Sequence, residues 1–441
     1  MIPATPTGGA EVDTSRCVLA TVVSSPDARH HRVCDDGGES GAHGYPRARG
    51  VVSDVSNGAA VAEPGGALKV AICITGLEVG GAETFLAELL RFKPDNVEMR
   101  VFALIDGGVI AERIATMGIT VTGLHMEAGR PSVRAVLSLA SQLRAYRPDI
   151  VHTWMYHADL VGGVAAKLAG VRHVVWHLHN SDLSPARVRL MTRFVVRVCA
   201  MLSYWIPDVI LSCSEAAVRV HRERGYAVRK LVVIPNGVDT RRFMPSAEAR
   251  ASVRQEFGLS SDRSLIGLVA RVDPQKNHRG FFEAVTRFFE QGGDADFLLV
   301  GRDVTPEHWQ LPVWREETGH PDRIVLAGPR SDVPRLMAAL DVGTSSSLGE
   351  AFPMVLIEAM ACGVPCVATD VGDSALIIAD TGAVAPPDDA DALAAAWSGL
   401  LAMPVAERTV LGGRARQRVL DNYAIEEVAE RIWGLYGQLA G

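Results

Sequence analysis

The chain has 441 residues, 48% hydrophobic and 22% charged, with 44 Lys and Arg against 51 Asp and Glu. That length exceeds one compact α/β core and fits two domains plus an extra segment. No apolar run of about 18 residues is present that could span a bilayer. The start, MIPATPTGGAEVDTSR, lacks a basic region followed by an apolar one, so a cytoplasmic location is expected.

Charge is uneven along the chain: residues 1–68 carry 5 basic and 8 acidic side chains (net −3), 69–238 carry 20 and 14 (+6), and 239–441 carry 19 and 29 (−10). An acidic carboxy-terminal half argues against nucleic acid as a partner, while the basic half leaves room for an anionic surface. The 7 cysteines form no CxxC pair, which suits reduced thiols. The nearest two, Cys362 and Cys366 in ACGVPC, read as a helix end running into a strand.

In chain order, residues 1–68 are rich in Gly, Ser, Pro, Asp and Ala without hydrophobic periodicity, and a disordered leader is expected there. The segment is also compatible with translation beginning later. The strand-like LKVAICIT is followed by the helix-like AETFLAELLRF, then by MRVFALI, DIVHTWM, HVVWHLH and DVILSCS. Strands alternating with helices predict a parallel sheet covered on both faces. After KLVVIPNGVD the cycle restarts with SLIGLVA, the helical FFEAVTRFFEQ, DFLLVG, RIVLAG, VGTSSS, the helical MVLIEAMA and PCVATDV. The expected fold class is α/β, two Rossmann-like doubly wound domains over residues 69–238 and 239–421. Residues 422–441 form a closing helix that is expected to cross back to the first domain. Pro235-Asn236-Gly237 is the expected hinge, since Asn-Gly tolerates positive φ. Ligands belong in the crevice at the carboxyl ends of the strands.

The most informative stretch is GEAFPMVLIEAMACG, residues 349–363. Pro353 fits the start of a helix, where no N–H is needed. The free N–H groups of Met354 and Val355, with the positive end of the helix dipole, would hold a diphosphate, with Phe352 beside them. Glu358, about one turn further in, can accept both hydroxyls of a ribose, and Glu350 faces the sugar side. By spacing alone the two glutamates also read as solvated helix carboxylates, and the context decides. Arg271 and Lys276, in ARVDPQKN, place two cations on one loop after a strand, able to neutralise a leaving diphosphate. Gly80 and Gly81, in TGLEVGGAET, allow close backbone approach before a helix start. This is neither a GxGxxG nor a GxxxxGK[ST] segment, so a dinucleotide oxidoreductase and P-loop phosphoryl transfer lack support. The Asp-Ala-Asp triplets at 294–296 and 389–391 read as turn formers and caps, and no metal site or cofactor is expected.

The 349–363 stretch resembles the signature of retaining glycosyltransferase family 4, whose members carry two glutamates separated by seven residues, as Glu350 and Glu358 are, within a GxPxxxxEAMACGxPV-like run. CVATDVGDSALIIADTGAVAPPDDADALAAA, IPNGVDTRRFMP and LVARVDPQKN extend the resemblance over nearly all of the chain from Lys69. It implies a GT-B fold with two domains facing across a cleft. It also implies a nucleotide-sugar donor, and front-face transfer of a hexose-type sugar with retention. Arg271 and Lys276 match the pyrophosphate-contacting basic pair. His179, in VVWHLHNS, matches a histidine that touches the donor sugar, though His177 lies on the same side of the strand and the choice between them stays open. The expected acceptor is a saccharide or lipid-linked saccharide of envelope or exopolysaccharide synthesis. A GT-B sugar-nucleotide 2-epimerase and a non-catalytic sugar-nucleotide binder are the alternatives.

SPARVRLMTRFVVRVCAMLSYW sets Arg187, Arg189, Arg193 and Arg197 among Leu190, Met191, Phe194, Val195 and Val198. Arg189, Arg193 and Arg197 share one helical row, as a helix lying peripherally on the inner face of an anionic membrane would have them. An ordinary helix packed on the sheet with an arginine edge fits the same pattern.

Overall fold

The computed structural model describes residues 67–127, 130–183 and 188–441. The expected leader lies outside the described residues except for Ala67 and Leu68, as do Cys17, Cys34 and Arg187. Seven parallel strands form the first sheet: β1 (Leu68–Ile74), β2 (Val97–Ala103), β3 (Thr120–Gly123), β4 (Ile150–Trp154), β5 (His173–Leu178), β6 (Val209–Ser212) and β7 (Leu231–Val233). Their order is β3-β2-β1-β4-β5-β6-β7. Six more form the second: β8 (Ser264–Val269), β9 (Ala295–Val300), β10 (Ile324–Leu326), β11 (Val342–Ser345), β12 (Cys366–Thr369) and β13 (Ala383–Ala385). Its order is β10-β9-β8-β11-β12-β13, and every pair in both sheets is parallel. Parallel neighbours need crossover helices, which cover both faces and explain why β4 and β9 are buried along their whole length. Both domains are Rossmann-like, as expected.

The last helix, Ile425–Ala440, carries its apolar residues at helical spacing and inserts them into the first domain. Ile425, Val428, Ile432 and Tyr436 join Val70, Ile72 and Val101 in one core cluster. Each such buried side chain contributes roughly 1.5–3 kcal/mol. The Tyr436 hydroxyl also lies 2.5 Å from His152 Nδ1. The second domain is centred on Trp397, ringed by Phe281, Phe288 and Phe297 at 5.3 to 6.2 Å between centroids. The Trp397 indole N–H donates to Thr344 Oγ1 at 3.0 Å, so the buried donor is satisfied.

The chain passes between the domains twice, and the two passages pair. Val238 N donates to Tyr423 O at 2.9 Å and Ile425 N to Val238 O at 3.0 Å. Asn-Gly tolerates positive φ, but neither Asn236 nor Gly237 adopts it. Glycine is needed there for room, since a Cβ at Gly237 would sit 2.8 Å from Ile425 Cα. Beside this crossing, Glu88 accepts from Arg91 at 2.7 Å and from Arg113 and Arg242 at 2.6 Å each, and Asp239 accepts from Arg91 at 2.9 Å. The ion network thus ties the first helix of one domain to the start of the other.

Candidate active site in the interdomain cleft

Strand order in each sheet reverses at one place, between β1 and β4 in the first domain and between β8 and β11 in the second. Loops leaving the carboxyl ends of such a pair diverge and open a crevice. In the second domain that crevice receives two of the residues singled out from sequence. Lys276, from the loop after β8, pairs with Oε1 of Glu350, from the loop after β11. Ser347 Oγ donates to the same carboxylate oxygen at 2.7 Å. Asp273 caps the short turn Pro274–Lys276 by accepting from Gln275 N at 2.8 Å, which fixes where Lys276 leaves the backbone. Asp273 also accepts from Arg271 at 3.1 and 3.3 Å. Burial pushes the Asp273 carboxyl up, but the Gln275 N–H and Arg271 outweigh it and the group titrates below the usual carboxylate range. Each expected cation therefore already faces one carboxylate.

MVLIEAMA forms the helix Met354–Ala361, with Pro353 as its N-cap residue and Phe352 stacked edgewise on Tyr423 at 5.7 Å. Among the described residues the Met354 and Val355 N–H groups have no backbone acceptor, the ordinary condition of a helix's first turn. Glu358 shares their half-exposed face. Burial pushes its carboxyl up to about 7, with Arg242 pulling it down and Glu88 adding to the rise. Gly372, at φ +61, lets the loop after β12 lie against this segment. A Cβ there would come within 2.3 Å of Glu350 O.

The first domain presents His179 just past the end of β5. Its ring stacks on Trp154 at 4.8 Å and lies 4.1 Å from His177, and its ring nitrogens have no hydrogen-bond partner among the described residues. His177 is wholly buried within the strand, whereas His179 is partly exposed. Burial holds His179 and His152 neutral, down to about 3. Gly81 opens the helix Gly81–Arg91, and the room left by the absent side chain of Gly80 is taken by Glu83. A Cβ at Gly80 would be 2.3 Å from Glu83 Oε2. Burial raises the Glu83 carboxyl, against its own backbone N–H and the charge of Arg271 across the cleft.

A pocket of about 490 Å³ lies at the β1/β4 reversal, lined by Thr75, Glu83, Asp106, Tyr156, His157, Asn180 and Arg189 among others. Two contacts join the domains across the cleft. Ser181 Oγ donates to Glu350 O, and the Asp373 carboxylate accepts from Glu215 N at 2.8 Å and Ala216 N at 2.9 Å, the start of a helix in the other domain. Sequence reasoning missed Glu83, Ser181 and Asp373. Glu83 had a signal, an acid three residues past Gly80 in a first turn. Ser181 and Asp373 had none, because their partners are distant in sequence.

The aspartate triplets are engaged structurally. Asp296 accepts from Arg263 at 3.0 Å and Arg323 at 2.8 Å, Asp294 pairs with Arg323, and Asp389 caps the helix Ala390–Ala402 through Ala392 N at 2.9 Å. Cys362 and Cys366 are buried free thiols, and burial pushes Cys362 up to about 12.

Two facing Rossmann-like domains with a loop cation, a carboxylate and a helix start converging at the second switch point define a GT-B glycosyltransferase. Residues 263–403 match the family described as Glycosyl transferases group 1, and residues 79–242 match Glycosyltransferase Family 4. The chain belongs to glycosyltransferase family 4. It is 30% identical over 325 residues to the 2-deoxystreptamine N-acetyl-D-glucosaminyltransferase of Streptomyces fradiae, covering 67% of this chain and 75% of that one. It is 27% identical over 256 residues to the UDP-Gal:alpha-D-GlcNAc-diphosphoundecaprenol alpha-1,3-galactosyltransferase of Escherichia coli, covering 56% of this chain and 64% of that protein. Among solved structures, Anabaena Alr3699/HepE in complex with UDP superposes with a TM-score of 0.74 at 22% identity, over 84% of this chain and 100% of that one.

Proposed function

We propose that the enzyme transfers a hexose-type sugar, with retention, from a nucleotide diphosphate donor to a saccharide or lipid-linked saccharide in polysaccharide or glycolipid synthesis. In this reading it works in the cytoplasm at the face of an anionic membrane. The observation that carries it is the meeting of Lys276 and Glu350 at the β8/β11 crevice, beside the open N–H groups of Met354 and Val355. The diphosphate replaces Glu350 as the partner of Lys276 and takes the helix N–H groups, while Arg271 turns from Asp273 toward phosphate. Glu350, released, accepts from sugar hydroxyls, and Glu358 accepts from the ribose. His179 offers a ring nitrogen to the sugar.

In the reaction the bond between the anomeric carbon and the diphosphate oxygen breaks. The acceptor oxygen bonds to the same face of that carbon, and its proton passes to the departing phosphate oxygen. The protein supplies position and fixed charge, and with Lys276, Arg271 and the helix start in place no metal ion takes part. The related Anabaena protein was also crystallised in complex with UDP-glucose, and the Escherichia coli relative is named for a diphosphoundecaprenol-linked acceptor. Thermal shift against UDP-, GDP- and ADP-sugars tests the donor site. One nucleotide series should raise the melting temperature, by about 2.7 kcal/mol of stabilisation at a hundredfold excess over its dissociation constant. No shift with any of them would overturn the reading.

A further inference from the structure

Among the described residues, the helix Leu190–Leu202 is partnered on one side only. Val195, Val196, Cys199 and Ala200 are buried against the first domain's core. The opposite stripe, Leu190, Phe194, Arg197 and Met201, follows the 4-3-4 spacing of a single face and points to solvent. Leu190 is 80% exposed and Phe194 61%, and just beyond the helix Trp205 is 73% exposed beside Tyr204. This turn is held firmly, because Lys230 Nζ donates to Ser203 O at 3.1 Å, Tyr204 O at 2.8 Å and Pro207 O at 2.7 Å. The aromatic pair is thus displayed by a built feature. A helix merely covering the sheet would turn polar residues outward, and this one turns out large apolar ones.

Charge selects what covers the face. The helix contains no acidic residue, and Arg189, Arg193 and Arg197 form no ion pair among the described residues. Arginines threaded through leucine, phenylalanine, methionine and tryptophan match the boundary of an anionic bilayer, where stems and rings sit among acyl chains and guanidinium groups reach phosphate. The amino end of this helix is also the rim of the first domain's pocket, to which Val188, Arg189 and Thr192 contribute. Inside the pocket is His157, only 8% exposed, whose Nε2 has no hydrogen-bond partner among the described residues.

We propose that this face seats the enzyme on an anionic phospholipid bilayer with the pocket opening at the membrane, so that the acceptor is a saccharide carried on a lipid phosphate. Arg189 at the rim holds that phosphate and His157 binds a hydroxyl of the saccharide beyond it. The choice of acceptor rests on the glycosyltransferase reading above; the docking face does not.

Co-sedimentation of the full chain with phosphatidylglycerol–phosphatidylcholine vesicles, and with phosphatidylcholine alone, tests the proposal. Binding is expected to the anionic vesicles at low salt and to be lost at high salt. Phe194→Ser with Trp205→Ser, and separately Arg193→Glu with Arg197→Glu, should each weaken it about tenfold or more. Both double variants should keep the wild-type thermal shift with donor and the wild-type rate on a soluble saccharide, while losing rate on a vesicle-borne acceptor. Absence of wild-type binding at low salt, or equal binding by the variants, overturns the proposal. So does a lipid-free dimer that the same substitutions dissolve, which would assign the face to a second copy. A missing donor shift in the wild type would instead fault the glycosyltransferase reading.

Discussion

Replacing Glu358 by Gln should make the protein more stable and less able to hold its donor. The carboxyl has no hydrogen bond among the described residues to oppose its burial, which pushes it up to about 7 from an ordinary value of 4.5. Between those values the folded protein keeps a proton that the unfolded chain releases, so this group's effect on stability becomes steadily more unfavourable as pH rises from 4.5 to 7 and is constant above. The full gap corresponds to on the order of 3 kcal/mol, and because solvent reaches part of the residue about 1 to 3 kcal/mol is expected. Glutamine removes the charge and keeps the shape. At pH 8 Glu358→Gln should therefore melt a few degrees above wild type, while at pH 4.5 the two should nearly coincide. Donor affinity should fall at the same time, because the amide cannot accept from both ribose hydroxyls, a trade between stability and function. Melting curves across this range, with donor titration at pH 8, decide it. A variant no more stable than wild type at pH 8, or one binding donor equally well, would show that Glu358 is an ordinary packed carboxylate.

Four histidines buried neutral should make the protein acid-labile. His152 and His179 are held at about 3 and His221 and His278 at about 4, all by burial, so their contribution is complete above pH 6.5 and lost as pH falls. At pH 5 each costs on the order of 2 kcal/mol, and melting temperatures flat between pH 8 and 5 would refute this. Arg271→Ala and Lys276→Ala should each lower the transfer rate by orders of magnitude while excess EDTA leaves wild type active; loss of activity on chelation, restored by Mg²⁺, would contradict fixed cations as the stabiliser. Asp373→Ala removes two charge-assisted bonds between the domains, about 3 kcal/mol together. A larger radius of gyration in small-angle scattering is expected, and an unchanged profile would mean that other contacts hold the cleft.

Much of this architecture is written locally. MVLIEAMA, with a proline before it and Gly363 after it, is a helix in sequence and in space, and the strand segments were legible because parallel strands are apolar throughout. The short edge strands β3, TVTG, and β13, AVA, carry too little apolar signal to stand out. The resemblance named Lys276 and Glu350 separately, but their pairing depends on β8 and β11 lying side by side, a property of strand order. Likewise, nothing near Asp373 announces the helix start at Glu215. Local propensity wrote the elements, and long-range packing made the site.

The most direct measurement is to follow nucleotide diphosphate release and the mass of the acceptor together, using the nucleotide-sugar that gives the thermal shift, and to read the product's anomeric configuration by NMR. Release should depend on acceptor, match sugar gained one for one, and give the donor's anomeric configuration. Donor epimerised without acceptor, or bound without any release, would contradict glycosyl transfer as the activity of this cleft.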